Sequence, residues 1–380
     1  MLNVVHVFSD TNFIYTAQIF KGWASNTIIL IKDDLGNSRY PAGVIRLDST
    51  IADITRAIDI CAHADLVVLY GLNGTKSYIA NRLPKKVQTA WFFYGYELYK
   101  GRTYYSELTL AADSPGVFPI CRDMFLEIAR KIRSSILKQQ DSNEEFNRAV
   151  RRIDYFLCLS RDEYDLLKSM IPELPQFVQR PYESCDRNYI PKAISNPVVV
   201  LGNSKSPYNN HLDLIQMVSE SENAGKYRFV ILFNYGEENR YAEEVRKSAR
   251  KCADITLIEQ LMPREEFRSF YSNVSALVIN SYRQMAVANV LEALRVGAKI
   301  YLNKKNIVLQ WLKSEGFKVF PIEDLPLDLK CGTLRLSSEE AGHNQRQFSR
   351  LSEKYSIDGF QKNLYSKILA NTALACESRR

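Results

Sequence analysis

Two stretches of this chain set small polar side chains and one guanidinium directly after apolar runs. The first is VVVLGNSKSPYNNH, Val198 to His211. Its apolar run stops at Gly202, and Asn203, Ser204, Asn210 and His211 follow. The second is VINSYRQMAVANVLEALRVGAKIYLN, Val278 to Asn303. It carries Arg283 and Gln284 in a loop, then a helical pattern through Asn289 and Glu292 that stops at Gly297. Glycine lets a ligand approach the main chain, and free amides at a helix start suit a phosphate. Neutral amides and hydroxyls hydrogen-bond a ligand without adding charge, and a histidine can donate or accept. A single arginine can neutralise a diphosphate as it leaves. A plain turn with a helix cap accounts equally well for Gly202–Ser204 taken alone, and a surface helix position for Glu292. No G-x-G-x-x-G follows the first run, which disfavours a dinucleotide cofactor.

The elements that must position these residues are legible as repeated short apolar runs. In the first half they are NVVHVFS, TIILIK, ADLVVLYG, TAWFFYG and DYFLCLS; in the second, PVVVLGN, YRFVILF, DITLIE, ALVIN and KIYLN. Runs of this length without alternation read as strands buried on both faces of a parallel sheet. Amphipathic stretches such as LDLIQMVSESENAG and NRYAEEVRKSARKC lie between them, so the pattern is strand–helix–strand, doubly wound α/β. The proline-bearing, non-periodic RPYESCDRNYIPKAISNP marks the join of two such halves. The expected division is a domain over 1–180, a linker over 181–197, a domain over 198–338 and terminal helices over 339–380 that could cross back to the first domain. In open parallel sheets ligands bind beyond the carboxyl ends of the strands, which places Gly202 at the first strand-to-helix turn of the second domain.

Composition narrows the function. The 380 residues suit two domains; a net charge of +7 is too mild to demand a nucleic-acid partner and is compatible with a basic patch facing anionic lipid or phosphate. Seven cysteines form neither C-x-x-C pairs nor metal spacings, which points to reduced thiols in a cytosolic protein. The start, MLNVVHVFSD, turns polar too soon for a signal peptide, and no apolar run reaches membrane-spanning length. The chain is therefore expected in the cytoplasm or attached peripherally to a membrane. Residues 120–140 form a basic amphipathic helix pattern, which fits either an anionic membrane surface or a helix packed on the sheet with a solvated face.

In the first half, Ser9 and Asp10 end the first strand, Asn73 follows another, and Gly95, Glu97 and Tyr99 follow WFFYGY. All are expected to border the ligand crevice. Glu97 is its best placed carboxylate for a ligand hydroxyl, or else a charge on a helix start. Trp91, Phe92 and Phe93 read as core, and His6 and His63 as structural.

Taken together these stretches resemble a family, the bacterial TDP-N-acetylfucosamine:lipid II N-acetylfucosaminyltransferases. The matching segments are WFFYGYELY, LGNSKSPYNNH, NRYAEEVRK and the Arg283–Gln284 pair with GAKIYLN after it. Glu97 stands where that family tends to have Asp, and Ala286 and Ala288 replace its glycines. The resemblance implies a GT-B fold, two Rossmann-like parallel-sheet domains facing a cleft. It implies retaining transfer of an amino-deoxy sugar from a nucleotide sugar to a polyprenyl-diphosphate-linked glycan in cell-envelope polysaccharide synthesis, with no essential metal or cofactor. Gly202, Asn203 and Ser204 would hold diphosphate or sugar, Arg283 the phosphate charge, Gln284 the sugar, Asn289 phosphate and Glu292 the ribose. Glu259 and Tyr235 would line the nucleobase pocket. Gln284 and Glu292 stand in the register where many such enzymes carry two glutamates, so that pair is half present. Two other functions share the scaffold: a nucleotide-sugar 2-epimerase, and a non-catalytic nucleotide-sugar or glycan binder.

Overall fold

The computed structural model describes residues 2–32, 43–113, 142–182 and 197–377. The expected amphipathic helix at 120–140 and residues 183–196 of the expected linker lie outside them. Two compact units divide the described residues: those up to 98, with 142–182 and 354–377, form one, and those over 99–113 and 197–353 the other.

The first unit is built on seven strands: β1 (Leu2–Phe8), β2 (Ala24–Ile31), β3 (Val44–Leu47), β4 (Leu66–Tyr70), β5 (Gln88–Phe92), β6 (Tyr155–Cys158) and β7 (Gln176–Gln179). Their order is β3-β2-β1-β4-β5-β6-β7 and every pairing is parallel. The helices α1 (Ile51–Cys61) and α2 (Gly74–Arg82) cross between strands. β4 and β5 are buried at every residue, as runs of apolar residues without alternation require.

The second unit holds α3 (Glu107–Asp113), then six strands: β8 (Val198–Leu201), β9 (Arg228–Leu232), β10 (Ile255–Ile258), β11 (Val274–Ile279), β12 (Lys299–Leu302) and β13 (Phe320–Pro321). They are ordered β10-β9-β8-β11-β12-β13, again all parallel. The first unit also holds α4 (Ser142–Arg152) and α5 (Arg161–Met170), while between the strands of the second run α6 (His211–Ser219), α7 (Arg240–Ala249), α8 (Arg264–Tyr271) and α9 (Val287–Arg295). Tyr241 and Val245 of α7 pack with Leu214 and Val218 of α6 on Val199, Leu201 and Ile231.

Two boundaries differ from the sequence expectation. Residues 99–113 group with the second unit, although the sequence boundary at 180 puts them in the first. The cause is a set of polar bonds from Gly101 and Ser106 to Tyr208, Asn210 and Asp213. At the other end, the return to the first unit is made from Lys354 onward, not from residue 339. Phe360, Leu364 and Ile368 of the last helix enter the core of the first unit beside Val4, Leu66 and Leu157.

Candidate functional site

In the second unit the strand order reverses between β8 and β11, the switch point at which open α/β sheets leave a crevice for ligands. The loops leaving these two strands are the two stretches singled out by the sequence. Leu201 pairs with Val278, so Gly202 and Asn280 start side by side. Gly202 has φ +71°, a conformation costly for other residues, and a Cβ there would lie 2.4 Å from His211 Nε2.

A lattice of neutral amides fixes both loops. Asn209 Oδ1 accepts from Asn203 N at 3.2 Å, while its Nδ2 donates to Ser204 Oγ at 3.1 Å. Asn210 is left-handed at φ 49°; its Nδ2 donates to Asn280 O at 2.9 Å and its Oδ1 accepts from Ser106 N at 2.8 Å. Asn303 Nδ2 donates to Asn280 Oδ1 at 2.8 Å. Asn209, Ser106 and Asn303 were not singled out by sequence. Their signal, an amide or hydroxyl near a strand end, is too common to stand out.

Within this lattice Arg283 is buried, its guanidinium 4.0 Å from the centre of the Tyr208 ring. Asn203 and Gln284 are buried as well. Asn203 Nδ2 donates to the hydroxyl of Tyr235, but Asn203 Oδ1 and Gln284 Oε1 have no hydrogen-bond partner. A buried polar atom without a partner is uncommon and costs about 1–3 kcal/mol. Ala286 follows at φ 59°, left-handed without being glycine, a further cost of about 1 kcal/mol. Polar orphans and a strained residue therefore collect on these adjacent loops.

Other expected donor groups are engaged elsewhere. Both amide atoms of Asn210 hold the lattice. His211 is fully buried, bonded through N and Nδ1 to the Tyr241 hydroxyl, and burial lowers its pKa to about 3, so its ring is neutral. Asn289 Nδ2 donates to Tyr271 Oη at 2.9 Å, pinning the start of α9. Glu292 bridges Arg295 at 2.6 Å and Arg268 at 3.4 Å, so a ribose would have to compete with two guanidiniums. Glu259 is held by Arg246, which also clasps Glu238 with two N–H groups; these bonds and one from Lys205 draw the Glu238 carboxyl down to about 2. A hollow lined by Val198, Arg228 and Asn273 opens at the amino ends of β8, β9 and β11, away from both loops.

In the first unit the expected acceptor residues are bonded to one another. Asn73 caps α2, accepting from Lys76 N at 3.0 Å and donating to Ser9 Oγ at 3.3 Å. Asp10 is exposed beyond β1, and Gly95 turns the chain at φ 100°. Glu97 is buried, and its carboxylate accepts from Trp91 Nε1 at 3.1 Å and from Tyr94 N at 3.2 Å. It closes its own loop, so its geometry does not support the expected contact with an acceptor hydroxyl; burial raises its pKa despite these bonds and Lys76. Tyr99 belongs to the second unit, its ring edge-on to Tyr104. Sequence reasoning passed over Lys76, a fully buried ammonium that donates to Tyr70 O and, at 2.9 Å, to Gly71 O. Burial lowers its pKa to about 8, against the opposing pull of Glu97 and Asp10. His6 is a satisfied core histidine between Tyr70 and Asn26.

Two all-parallel sheets with interleaved helices define the GT-B fold, and solved structures share it. Sucrose-phosphate synthase from Thermosynechococcus elongatus matches with a TM-score of 0.62 at 10% identity, over 97% of this chain and 100% of that one. The UDP-forming α,α-trehalose-phosphate synthase of Burkholderia vietnamiensis gives 0.60 at 10% identity over 97% and 100%. Anabaena HepE, solved with UDP and glucose, gives 0.63 at 10% identity over the same shares. No family model and no curated protein sequence matches the chain.

Proposed function

We propose that this chain is a glycosyltransferase that moves an amino-deoxy sugar, such as N-acetylfucosamine, from a TDP- or UDP-linked donor to a polyprenyl-diphosphate-linked glycan. One observation carries the reading. Arg283, Gln284 and Asn203 lie on neighbouring loops at the switch point of the second sheet, with amide atoms of the last two buried and unpartnered. A bound polar ligand supplies the missing partners. The UDP in the HepE complex supports a nucleoside diphosphate as part of that ligand. The segments WFFYGYELY and LGNSKSPYNNH and the Arg283–Gln284 pair support the sugar and the lipid-borne acceptor.

In this reading Arg283 meets the diphosphate and Gln284 and Asn203 bond the sugar. Charge on the departing diphosphate is stabilised by one guanidinium and by neutral amides, so the diphosphate itself can take the acceptor proton and no strong base is needed. Transfer then proceeds with retention. The donor set is neutral amide and guanidinium rather than paired carboxylate, which suits metal-independent catalysis, and transfer is expected to persist in EDTA.

The test is a thermal-shift screen of UDP, TDP and their sugars. A ligand at about 100 times its Kd stabilises the folded form by about 2.7 kcal/mol. Arg283→Ala is expected to cut transfer by about 10²–10³-fold with the circular dichroism of the wild type. Transfer at the wild-type rate in that variant would remove Arg283 from the reaction.

A further inference from the structure

The guanidinium of Arg283 lies over the ring of Tyr208, 4.0 Å from its centre. Arg283 is buried and Tyr208 half-buried. The ring stands on the short turn Pro207–Asn209, which ends at the left-handed Asn210. Asn209 ties this turn to the first loop, its Nδ2 donating to Ser204 Oγ at 3.1 Å. A second segment braces the ring. Gly101 N donates to the Tyr208 hydroxyl at 3.2 Å. The Tyr105 ring meets Tyr208 edge-on with centroids 4.9 Å apart, and Tyr104 stands at 6.4 Å. Tyr104 O accepts from Asn210 Nδ2 at 3.3 Å, and Ser106 N donates to Asn210 Oδ1 at 2.8 Å. Residues 101–106 and 207–210 thus form one brace with Arg283 against it. None of it was legible in the sequence, because Gly101 and Tyr208 are 107 residues apart.

The kind of support decides what an arginine can still do. Arg246 and Arg295, in the same unit, are held by carboxylates, which accept their N–H groups and offset their charge. A ring face attracts the cation through its quadrupole and accepts none of the N–H groups, which point outward in the guanidinium plane. Ring support therefore orders an arginine without offsetting its charge. An anion can then meet the planar fork edge-on, as two oxygens of a diphosphate do. Burial strengthens the attraction, since water competes less. A long side chain ordered before the ligand arrives also loses less freedom on binding.

We infer that Tyr208 is a positioning residue: braced by residues 101–106, it holds the Arg283 guanidinium ordered for the diphosphate of the donor. The diphosphate rests on the function proposed above; the contact between ring and guanidinium does not. The role also gives residues 99–113 a purpose in the second unit.

The test uses the full chain labelled with ¹⁵N-arginine, the Arg283 Nε–H signal being assigned by its loss in Arg283→Ala. In the wild type this proton is expected upfield of the other arginines, shifted by the Tyr208 ring current, and Tyr208→Leu returns it to their range. UDP, the probe, is expected to bind Tyr208→Leu about fivefold to thirtyfold more weakly, while uridine, which has no phosphate, binds as to the wild type. Tyr208→Phe keeps the ring face, gives up the bond from Gly101 N and recovers UDP binding to within about threefold of the wild type. In an Arg283→Ala background Tyr208→Leu adds less than about twofold, because a residue that acts through Arg283 has nothing left to act on. Unchanged UDP binding in Tyr208→Leu, equal losses for UDP and uridine, or an undiminished loss in the Arg283→Ala background overturns the positioning role. Tyr208→Met is the second variant if Tyr208→Leu does not fold, and a wild-type Arg283 signal without the upfield shift overturns the contact whichever variant is used. A wild-type chain that shows the shifted signal but binds neither UDP nor TDP defeats the proposed function and leaves the contact standing.

Discussion

The carboxyl edges of the two sheets differ in how their polar groups are satisfied. Both sheets reverse strand order at one point, β1 against β4 and β8 against β11. At the first edge Ser9, Asn73, Lys76 and Glu97 bond one another or nearby main chain. Among the described residues, the unpartnered Ser77 Oγ and Asn81 Oδ1 of that unit sit along α2 rather than on these edge turns. At the second edge Asn203 and Gln284 each leave an atom unpartnered and Ala286 holds a left-handed φ. The same fold thus supplies two candidate edges, and the unsatisfied one is the better candidate for a polar ligand. Satisfied edge groups stabilise the fold; unsatisfied ones are stabilised by something that binds.

The comparison breaks most readily at Gly202. Gly202→Ala combines φ +71° with a Cβ 2.4 Å from His211 Nε2. It is expected to cost about 3–5 kcal/mol, measured by urea unfolding, as strain and overpacking add. A loss below about 1 kcal/mol would mean that the turn is not braced from beneath.

The first edge is sharpened by pH. Lys76 has its folded pKa lowered from 10.5 to about 8, so between these values the unfolded chain binds more protons. Its contribution to stability is present above pH 10.5 and lost as pH falls to 8, about 3 kcal/mol in all. Lys76→Met is expected to remove that rise, seen as the difference between wild-type and variant stability across this range. An unchanged difference from pH 8 to 10.5 would show that Lys76 is solvated. The smallest effect is expected at Ala286→Gly. Relief of φ 59° offsets the entropy of glycine, so stability holds or rises by up to about 1 kcal/mol, where glycine elsewhere in a helix start would lower it.

Much of the fold could be read before the structure. The central strands are apolar on both faces, so runs such as Leu66–Tyr70 and Val274–Ile279 announce themselves. β3, β7 and β13 went unread because each is an edge strand with a single neighbour and needs less apolar sequence; β13 has only two residues. Gly202–Ser204 stood out because it follows a buried strand directly, and Arg283–Gln284 because it lies in the loop after another. The roles expected of Asn289, Glu292, Glu259 and Glu97 came from residue type and spacing, which do not reveal a partner: in the structure Tyr271, Arg295, Arg246 and Trp91 engage them. Lys76 was hidden by the opposite error, a charge on a helix that reads as solvated and is buried. Most distant from the sequence was the role of residues 99–113, whose bonds to Asn210 span 104 positions.

Amide hydrogen exchange with and without saturating UDP- or TDP-sugar compares the two edges in one experiment. The account predicts slowed exchange in residues 202–206 and 280–286, with residues 71–76 and 94–98 unchanged by the nucleotide sugar. Protection confined to 71–76 and 94–98, with the loops after β8 and β11 unaffected, would contradict it.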